Sequence, residues 1–222
     1  MEKRLLITGF DPFGGQTVNP AWEAVRALPD RVGDFVLCKL EIPTVFGLAA
    51  QTVLAAAQTC QPDVVLCVGV AAGRKEVTPE RIAVNIRDAR IPDNVGNQPQ
   101  GNRVAHDGPA AYFATVPVEA MTKKILEAGL PASVSNSAGT FVCNDLLYSL
   151  LHYYHGTETA VGFIHVPALP DQHEICQPLD STVAALAAAI TSLYSYRSPR
   201  ARTHPLCRVS NPHDSNFFSN TP

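Results

Sequence analysis

The chain has 222 residues, 46% of them hydrophobic and 17% charged, with a formal net charge of −3 at pH 7. It is long enough to bury one sizeable core. Its charged fraction is below the ~25% of an average soluble domain, which favours subunit contacts. No basic patch stands out, which excludes nucleic acid as an expected partner. The longest apolar run, residues 64–72, is much shorter than the ~20 residues of a membrane-spanning helix, which excludes a membrane as an expected partner.

The first half of the chain alternates predicted strands and helices. Residues 4–8 form a short buried strand that ends in a Gly-rich loop. A helix begins at Asn19-Pro20, because proline is favoured at the first helical position. A strand at 35–40 and a helix at 45–59 follow. Residues 64–70 are continuously apolar, which is typical of a strand buried on both faces of a parallel sheet, and 81–86 alternates weakly as a further strand.

The second half opens with an irregular stretch, 87–117, of a length that is often functional in a compact domain. Then come a helix at 118–128 closed by Gly129, a strand at 133–135, a helix at 144–154, a strand at 160–165 and a helix at 181–194. The alternation predicts an α/β fold, a three-layer α/β/α sandwich around a mostly parallel, mixed twisted sheet. We expect one domain over 1–196, and a flexible or surface-packed tail over 197–222.

The cysteines and the first residues indicate the compartment. The chain has six cysteines and no C-x-x-C pair, so neither a disulfide framework nor a zinc-finger spacing is expected. The apolar stretch near the N-terminus, residues 5–7, is shorter than the ~7–15 residues of a signal-peptide core. The expected location is the cytoplasm.

Cys143 follows small and polar residues at the predicted start of a helix. A helix N-terminus carries unsatisfied N–H groups and a partial positive charge, and both stabilise a thiolate and an oxyanion. The alternative is a buried structural thiol, as in Cys67 within the apolar strand, and this is the commoner role of a free cysteine. The surroundings of Cys143 taken alone favour that alternative.

His165 stands at the end of the last buried strand, and ligands of open α/β sheets bind beyond such ends. If Cys143 meets it at the same sheet edge, the two form the thiol–imidazole pair of a thiol-dependent hydrolase; otherwise His165 is satisfied by backbone groups. Glu76 or Glu80, after the central strand, would then orient the imidazole. Spacing alone does not choose between these two carboxylates.

Two further patterns point less clearly to chemistry. Phe10 and Phe13 flank Asp-Pro after the first strand, where they either line an apolar pocket or belong to the core; this loop lacks the G-K-[ST] of a phosphate loop. His152 and His155 are three residues apart on a helix without an evident third metal ligand. A helix-end histidine pair is therefore preferred to a metal site.

Five segments together resemble the pyroglutamyl peptidase type I family, also called pyrrolidone-carboxylate peptidases. They are TGFDPFGG…NP (8–20), GVAAGR…TPERIAVN (69–85), DARIPDNVGNQP (88–99), SNSAGTFVCN (135–144) and FIHVPALPDQ (163–172). The resemblance implies a catalytic triad of Glu80, Cys143 and His165, which selects Glu80 over Glu76. It also implies that the thiolate attacks peptides and removes their N-terminal pyroglutamate (5-oxoproline) through a thioester. The resemblance further implies a homotetramer in the cytoplasm and no metal or organic cofactor.

The resemblance also assigns a substrate site. Backbone groups near Val70 would bind the lactam, and Arg90 would lie near the reacting carbonyl. The apolar slot for the lactam ring would be lined by Phe10, Phe13, Thr44, Ile91, Phe141 and Val142. The chain departs from the family pattern at Val70, where many relatives have Gln, at Phe141, where they have Tyr, and at Ala168, where an aromatic residue is common.

Two other functions remain open from the sequence. One is a cysteine amidase on the same scaffold that acts on another small N-acyl group, which the departure at Val70 allows. The other is a non-enzymatic small-ligand binding module with a nucleoside-phosphorylase-like sheet. Hydrolysis of pyroglutamyl, prolyl and acetyl amides separates the first from a pyroglutamyl peptidase, and slow alkylation of Cys143 would indicate the second.

Overall fold

The structure, a computed structural model, describes residues 2–194. The strands are β1 (Lys3–Phe10), β2 (Arg31–Val32), β3 (Phe35–Ile42), β4 (Val64–Val70), β5 (Thr78–Pro79), β6 (Ile82–Val84), β7 (Ala111–Phe113) and β8 (Ala160–Val166). The helices are α1 (Pro20–Ala27), α2 (Leu48–Cys60), α3 (Val118–Glu127), α4 (Val142–Tyr153) and α5 (Leu179–Thr191). The predicted tail, 197–222, lies outside the described residues.

The main sheet has six strands in the order β2-β3-β1-β4-β8-β5. Its four central strands, β3, β1, β4 and β8, are parallel, and the short edge strands β2 and β5 run antiparallel to their neighbours. The remaining strands, β6 and β7, form a separate antiparallel pair. Because parallel strands end at the same edge, the residues that follow β1, β4 and β8 meet there, as the sequence analysis expected.

Helices cover both faces of the main sheet. One face packs against α1, α3 and α5, and the other against α2 and α4. The alternation of side chains along β1 shows how the strand serves both layers: Leu5 and Ile7 belong to the first core, whereas Leu6 belongs to the second. The predicted three-layer α/β/α arrangement is confirmed.

Local signals account for several helix ends. The side chain of Asn19 accepts a hydrogen bond from the Ala21 N–H at 3.0 Å, with Pro20 in the first turn, as predicted for α1. Helix α3 ends just before Gly129, whose φ of 77° stops a right-handed helix. Helix α2 begins at Leu48 rather than at residue 45, since Gly47 has a φ of 72°.

Other predicted boundaries were wrong. Residues 133–135 form no strand; Ser135 makes only an isolated bridge with Glu80. The last helix is displaced, at Leu179–Thr191 instead of 181–194. Strands β2, β5 and β7 have two or three residues each and were not predicted, because so short a segment carries no readable periodicity.

The cysteines differ in part from the expectation of six thiols. Cys38 on β3 and Cys60 at the end of α2 are joined as a disulfide, whereas Cys67, Cys143 and Cys176 are free. The pairing was missed because it depends on α2 packing beside β3, which no cysteine spacing reveals. Within residues 2–194, no helix is long and apolar enough to cross a membrane.

Candidate active site

A histidine–carboxylate contact lies at the edge of the main sheet. Nδ1 of His165 is 2.7 Å from Oε1 of Glu80, and both side chains are buried. Backbone pairing creates the contact, because β5 runs beside β8 and the Glu80 N–H donates to the Phe163 carbonyl at 2.9 Å. The structure thus brings Glu80 to the imidazole, and places Glu76 in the loop before β5.

Arg74 binds the same oxygen of this carboxylate as His165 does. Its Nη1 donates to Glu80 Oε1 at 2.9 Å and to Thr78 Oγ1 at 2.7 Å, and its Nη2 donates to the Ser137 carbonyl at 3.2 Å. Burial acts to raise the pKa of Glu80, but hydrogen bonds from His165, Ser135 and Arg74, together with the positive charge of His165 when it is protonated, outweigh it and hold that pKa below its ordinary value. Glu80 is therefore ionised at neutral pH. The sequence analysis missed Arg74, since nothing in its spacing points to Glu80.

Cys143 is the second residue of α4, which begins at Val142, two residues before the predicted start. No side chain caps this helix, so the N–H groups of its first turn are left for another acceptor. A methyl group at Gly69 would lie 3.0 Å from Sγ of Cys143 and 2.8 Å from the ring of Phe163. Glycine at position 69 is thus what allows the thiol to approach the end of β4.

The same glycine places the thiol beside the imidazole. Gly69 on β4 pairs in register with His165 on β8, and neighbouring strands are about 4.8 Å apart. Both positions face the α4 side of the sheet, because they continue the alternation of Cys67 and Phe163, which pack in that core. Cys143 and His165 line one cavity, although no hydrogen bond joins them in the described part of the chain. Catalytic hydrogen bonds often form only once substrate is bound.

Burial, and not the helix N-terminus, dominates the protonation of Cys143. Burial raises the pKa of the thiol to about 12, and the negative charge of Glu80 also raises it. The position at a helix N-terminus had predicted the opposite, a lowered pKa of this thiol. That expectation omitted the cost of placing a thiolate against the sheet core and near an ionised carboxylate. In the resting protein Cys143 is a neutral thiol.

A cavity of about 180 Å³ opens beside these groups. Its lining is apolar and aromatic apart from a few polar side chains: Phe10, Phe13, Asn19, Thr44, Val70, Ala138 and Phe141 surround Cys143 and His165. The ring of Phe141 lies 6.4 Å from that of Phe13. Thr44 is fixed by Asp11, whose carboxylate accepts from the Thr44 N–H at 2.7 Å. Such a site suits a small, uncharged, compact group.

Comparison with known proteins identifies the group of enzymes to which this architecture is related. Residues 3–196 match the family model described as pyroglutamyl peptidase. The chain belongs to the pyroglutamyl peptidase family. It is 46% identical over 215 residues to the pyrrolidone-carboxylate peptidase of Bacillus subtilis (92% of this chain and 100% of the relative), and 49% identical over 203 residues to that of Bacillus licheniformis (87% and 94%).

Solved structures of pyroglutamyl peptidases have the same fold. The pyroglutamyl peptidase I of Bacillus amyloliquefaciens superposes with a TM-score of 0.85 at 43% identity, covering 88% of this chain and 97% of that one. The pyrrolidone carboxyl peptidase of Thermococcus litoralis gives a TM-score of 0.82 at 36% identity, covering 86% and 92%. The resemblance first inferred from five short segments therefore extends over most of the chain.

The cavity of this pyroglutamyl peptidase family member contains part of the predicted substrate site. Phe10, Phe13, Thr44, Val70 and Phe141 line it. Asn19 and Ala138 also line it but were not predicted, because Asn19 was interpreted only as a helix start and Ala138 carries no distinctive chemistry.

Three predicted substrate residues lie elsewhere. Val142 is fully buried in the core beneath α4, and Arg90 and Ile91 are exposed, the latter at 49%. Their segment is nevertheless attached to the cavity wall, since Asn94 donates to the Pro12 carbonyl at 2.9 Å and the Phe46 N–H donates to Asp93 at 3.0 Å. None of these three side chains lines the cavity beside Cys143.

His152 of α4 has other partners than a metal, and His155 lies beyond the end of this helix. His152 Nδ1 lies 2.8 Å from the Tyr112 hydroxyl, and its Nε2 lies 3.4 Å from Asp107. Among residues 2–194, no group of three or more His, Cys, Asp or Glu side chains is arranged to hold a metal ion. Within this family member, His152 thus takes part in a cluster with aromatic residues.

Proposed function

We propose that the chain is a cysteine exopeptidase that removes N-terminal pyroglutamate from peptides. In this proposal Cys143 is the nucleophile, His165 the general base and acid, and Glu80 the carboxylate that orients the imidazole. The observation that carries it is the 2.7 Å contact between His165 and Glu80 beside Cys143 and an apolar cavity. Membership of the pyroglutamyl peptidase family identifies the acyl group.

The shape and charge of the cavity support a lactam substrate. Pyroglutamate is small, has no free amine and carries no charge, so its site needs an apolar slot and a few hydrogen bonds, without an acidic side chain for an amino terminus. The aromatic side chains of Phe10, Phe13 and Phe141 supply such a slot. Thr44 and backbone groups near Val70 lie at its wall, where the lactam amide needs partners.

The first chemical step joins the thiol to the acyl carbon. Because the pKa of Cys143 is raised, its proton must leave as the sulfur attacks, and Nε2 of His165 accepts it. The S–C bond forms while the carbonyl becomes an oxyanion. The uncapped N–H groups of the first turn of α4 stabilise that charge, and one such donor is worth about 3–4 kcal/mol. We assign no part of this to the exposed Arg90.

The second step expels the rest of the peptide. The imidazolium gives its proton to the leaving nitrogen, the C–N bond breaks, and a pyroglutamyl thioester remains on Cys143. Water then attacks the thioester with His165 again accepting a proton, which releases pyroglutamate and restores the thiol. Glu80, held ionised by Arg74, stabilises the imidazolium in both steps.

We also propose a cytoplasmic homotetramer. The low charged fraction and exposed apolar side chains such as Val95 and Phe113, which are 65% and 68% exposed, support subunit contacts. A reducing compartment keeps the catalytic thiol free, and in it Cys38 and Cys60 would also be held as thiols instead of the disulfide. Light scattering of the purified protein and fractionation of cells test the two statements: a monomer, or a protein found outside the cytoplasm, would contradict them.

The experiment for the function compares amides of pyroglutamate, proline and acetate with wild type, Cys143→Ala and Cys176→Ala. Cys176 is also a free, partly buried cysteine, so its replacement controls for the loss of a thiol. We expect only the pyroglutamyl amide to be cleaved rapidly, and only Cys143→Ala to abolish cleavage. Faster cleavage of the prolyl or acetyl amide would favour another amidase, and no cleavage at all would favour a binding module.

A further inference from the structure

We infer that a second cavity, next to the catalytic one, binds the side chain of the residue that follows pyroglutamate and selects an uncharged, branched aliphatic group. This cavity measures about 90 Å³ and is lined mainly by apolar side chains, among them Val18, Pro20, Val70, Ala72 and Ala168. The inference rests on the proposed function, because it assumes that a peptide amide is cleaved at Cys143.

The two cavities are contiguous. Phe13, Asn19 and Val70 line both of them, so the second cavity lies directly beside a substrate bound in the catalytic cavity. Val70 is the last residue of β4 and pairs with Val166 of β8. The shared wall is therefore built on the rigid end of the sheet.

The second cavity lies on the side of the scissile bond that carries the leaving amine. His165 must face the leaving nitrogen to protonate it, and the chain that continues from His165 reaches the second cavity at Ala168, which is buried. Of the residues assigned to the lactam, Phe10, Phe141 and Thr44 line the catalytic cavity alone, whereas Phe13 and Val70 stand between the two cavities. A side chain attached to the leaving nitrogen's α-carbon is thus directed into the second cavity.

Two of the three polar side chains that line the second cavity, Gln172 and Asn19, have hydrogen-bond partners, and the third, Gln16, is exposed. Gln172 Nε2 donates to the Val18 carbonyl at 3.0 Å, and its Oε1 accepts from the Leu169 N–H at 3.2 Å. Asn19 donates to the Asp11 carbonyl at 2.9 Å and accepts from the Ala21 N–H. No ionisable side chain lines the cavity. A charged side chain placed there would lose water without gaining a charged partner, and an amide would exchange its water only for the exposed side chain of Gln16.

The size of the cavity restricts the guest further. A cavity of ~150 Å³ accommodates benzene, and one water has about 30 Å³ of liquid volume, so about 90 Å³ suits three or four carbon atoms. Leucine, isoleucine or valine fits these limits, whereas an indole is too large. Burial of one methylene changes binding roughly fourfold. For leucine against glycine we expect a preference in kcat/KM of roughly 10–100-fold.

The first test measures kcat/KM for pyroglutamyl-Xaa-glycine amides in which Xaa is Gly, Leu, Asn or Trp. Asparagine matches leucine in shape but is polar. We expect leucine to exceed glycine and asparagine by at least about tenfold, and to exceed tryptophan. If all four substrates are cleaved with similar kcat/KM, the second cavity does not select this residue, although the proposed function stands. If none is cleaved, the proposed function fails and this inference fails with it.

The second test fills the cavity. Ala168→Leu is expected to reduce the leucine-to-glycine ratio of kcat/KM to near one, because its side chain occupies the space of the guest. The matched control is Ala55→Leu, the same change at an exposed position of α2, which should leave the ratio as in wild type. Val18→Phe fills the cavity from the opposite wall and replaces Ala168→Leu if that variant does not fold. An unchanged ratio in a folded cavity-filling variant would overturn the inference.

Discussion

Nδ1 of His165 lies 2.7 Å from Oε1 of Glu80, with both side chains buried at the edge of the main sheet. An ionised carboxylate can only accept a hydrogen bond, so Nδ1 carries the proton and Nε2 remains an acceptor. The contact therefore decides which imidazole nitrogen is available to the thiol of Cys143. It depends on backbone pairing between β5 and β8, which fixes both partners before any substrate is present.

Replacing Glu80 by Gln should lower kcat/KM for a pyroglutamyl amide by roughly 10²–10⁴-fold, because a neutral amide neither fixes the tautomer nor stabilises the imidazolium. Glu76→Gln is the matched control, since Glu76 lies in the preceding loop, and its activity should stay within about twofold of wild type. Steady-state kinetics checks both variants. A loss of less than about tenfold in folded Glu80→Gln would contradict the role assigned to the carboxylate.

The lowered pKa of Glu80 predicts a stabilising effect that disappears in acid. The unfolded carboxyl has a pKa near 4.3 and the folded one a lower value. The folded state therefore gains stability from ionised Glu80 above about pH 4.3, and loses it as the pH falls through the folded value. Urea unfolding at several pH values should show the free-energy difference between wild type and Glu80→Gln shrinking below about pH 4. A difference independent of pH would contradict this assignment.

The buried thiol of Cys67 should make the protein less stable as the pH rises into the alkaline range, the opposite dependence to that of Glu80. Burial raises the pKa of this thiol to about 12, compared with about 8.5 when the chain is unfolded. The unfolded state alone releases the proton above about pH 8.5, so stability declines as the pH rises towards the folded pKa, by about 2 kcal/mol at pH 10.

Urea unfolding of wild type and Cys67→Ala between pH 7 and 10 tests this. The variant should be less stable at pH 7 because of the cavity that it leaves, but its free energy of unfolding should fall less steeply with pH. Equal slopes would mean that the buried thiol does not account for the alkaline loss.

Asn144 connects the first turn of α4 to β6. Its side chain accepts from the Val84 N–H at 2.9 Å and donates to the carbonyls of Val84 and Ile86 at 2.9 and 3.0 Å. Asn144→Leu leaves the part-buried Val84 N–H and Ile86 carbonyl without this partner, at a cost of about 2–5 kcal/mol in unfolding free energy. Activity should also fall, since the preceding residue is Cys143.

The control for Asn144 is Asn136→Leu at an exposed position, where we expect a change within about 0.5 kcal/mol. Denaturant unfolding gives the stabilities, and kcat/KM at a temperature where both variants are folded gives the activities. If Asn144→Leu were as stable and as active as its control, the hydrogen bonds to β6 would not position the nucleophile.

The sequence supported the site where it depends on strand order. The apolar runs at 64–70 and 160–165 predicted buried strands of a mostly parallel sheet. The structure makes these strands neighbours, and their shared edge explains why His165 lies beside the segment of Cys143. Spacing could not choose between Glu76 and Glu80, because the choice depends on β5, a strand of two residues with no periodicity. Arg74 was missed for a related reason: it reaches Glu80 only after the loop between β4 and β5 folds back.

Electrostatics was the least predictable part of the site. A helix N-terminus at Cys143 was visible in the sequence, and it favours a thiolate. The opposing effects, burial against the sheet and the charge of Glu80, require three-dimensional proximity and were not visible. The same holds for Cys38 and Cys60, which meet only because α2 packs beside β3. Residue types predicted the chemistry, whereas contacts determined which protonation state begins the reaction.

The most direct test of the central claim is to trap the acyl-enzyme. Enzyme is mixed with excess pyroglutamyl amide, quenched in acid within the first turnover, digested and analysed by mass spectrometry. We predict one pyroglutamyl group bound as a thioester to Cys143, with a burst of amine equal to the enzyme concentration if deacylation limits turnover, and neither in Cys143→Ala. A pyroglutamyl group on another residue, or turnover by folded Cys143→Ala, would contradict the account.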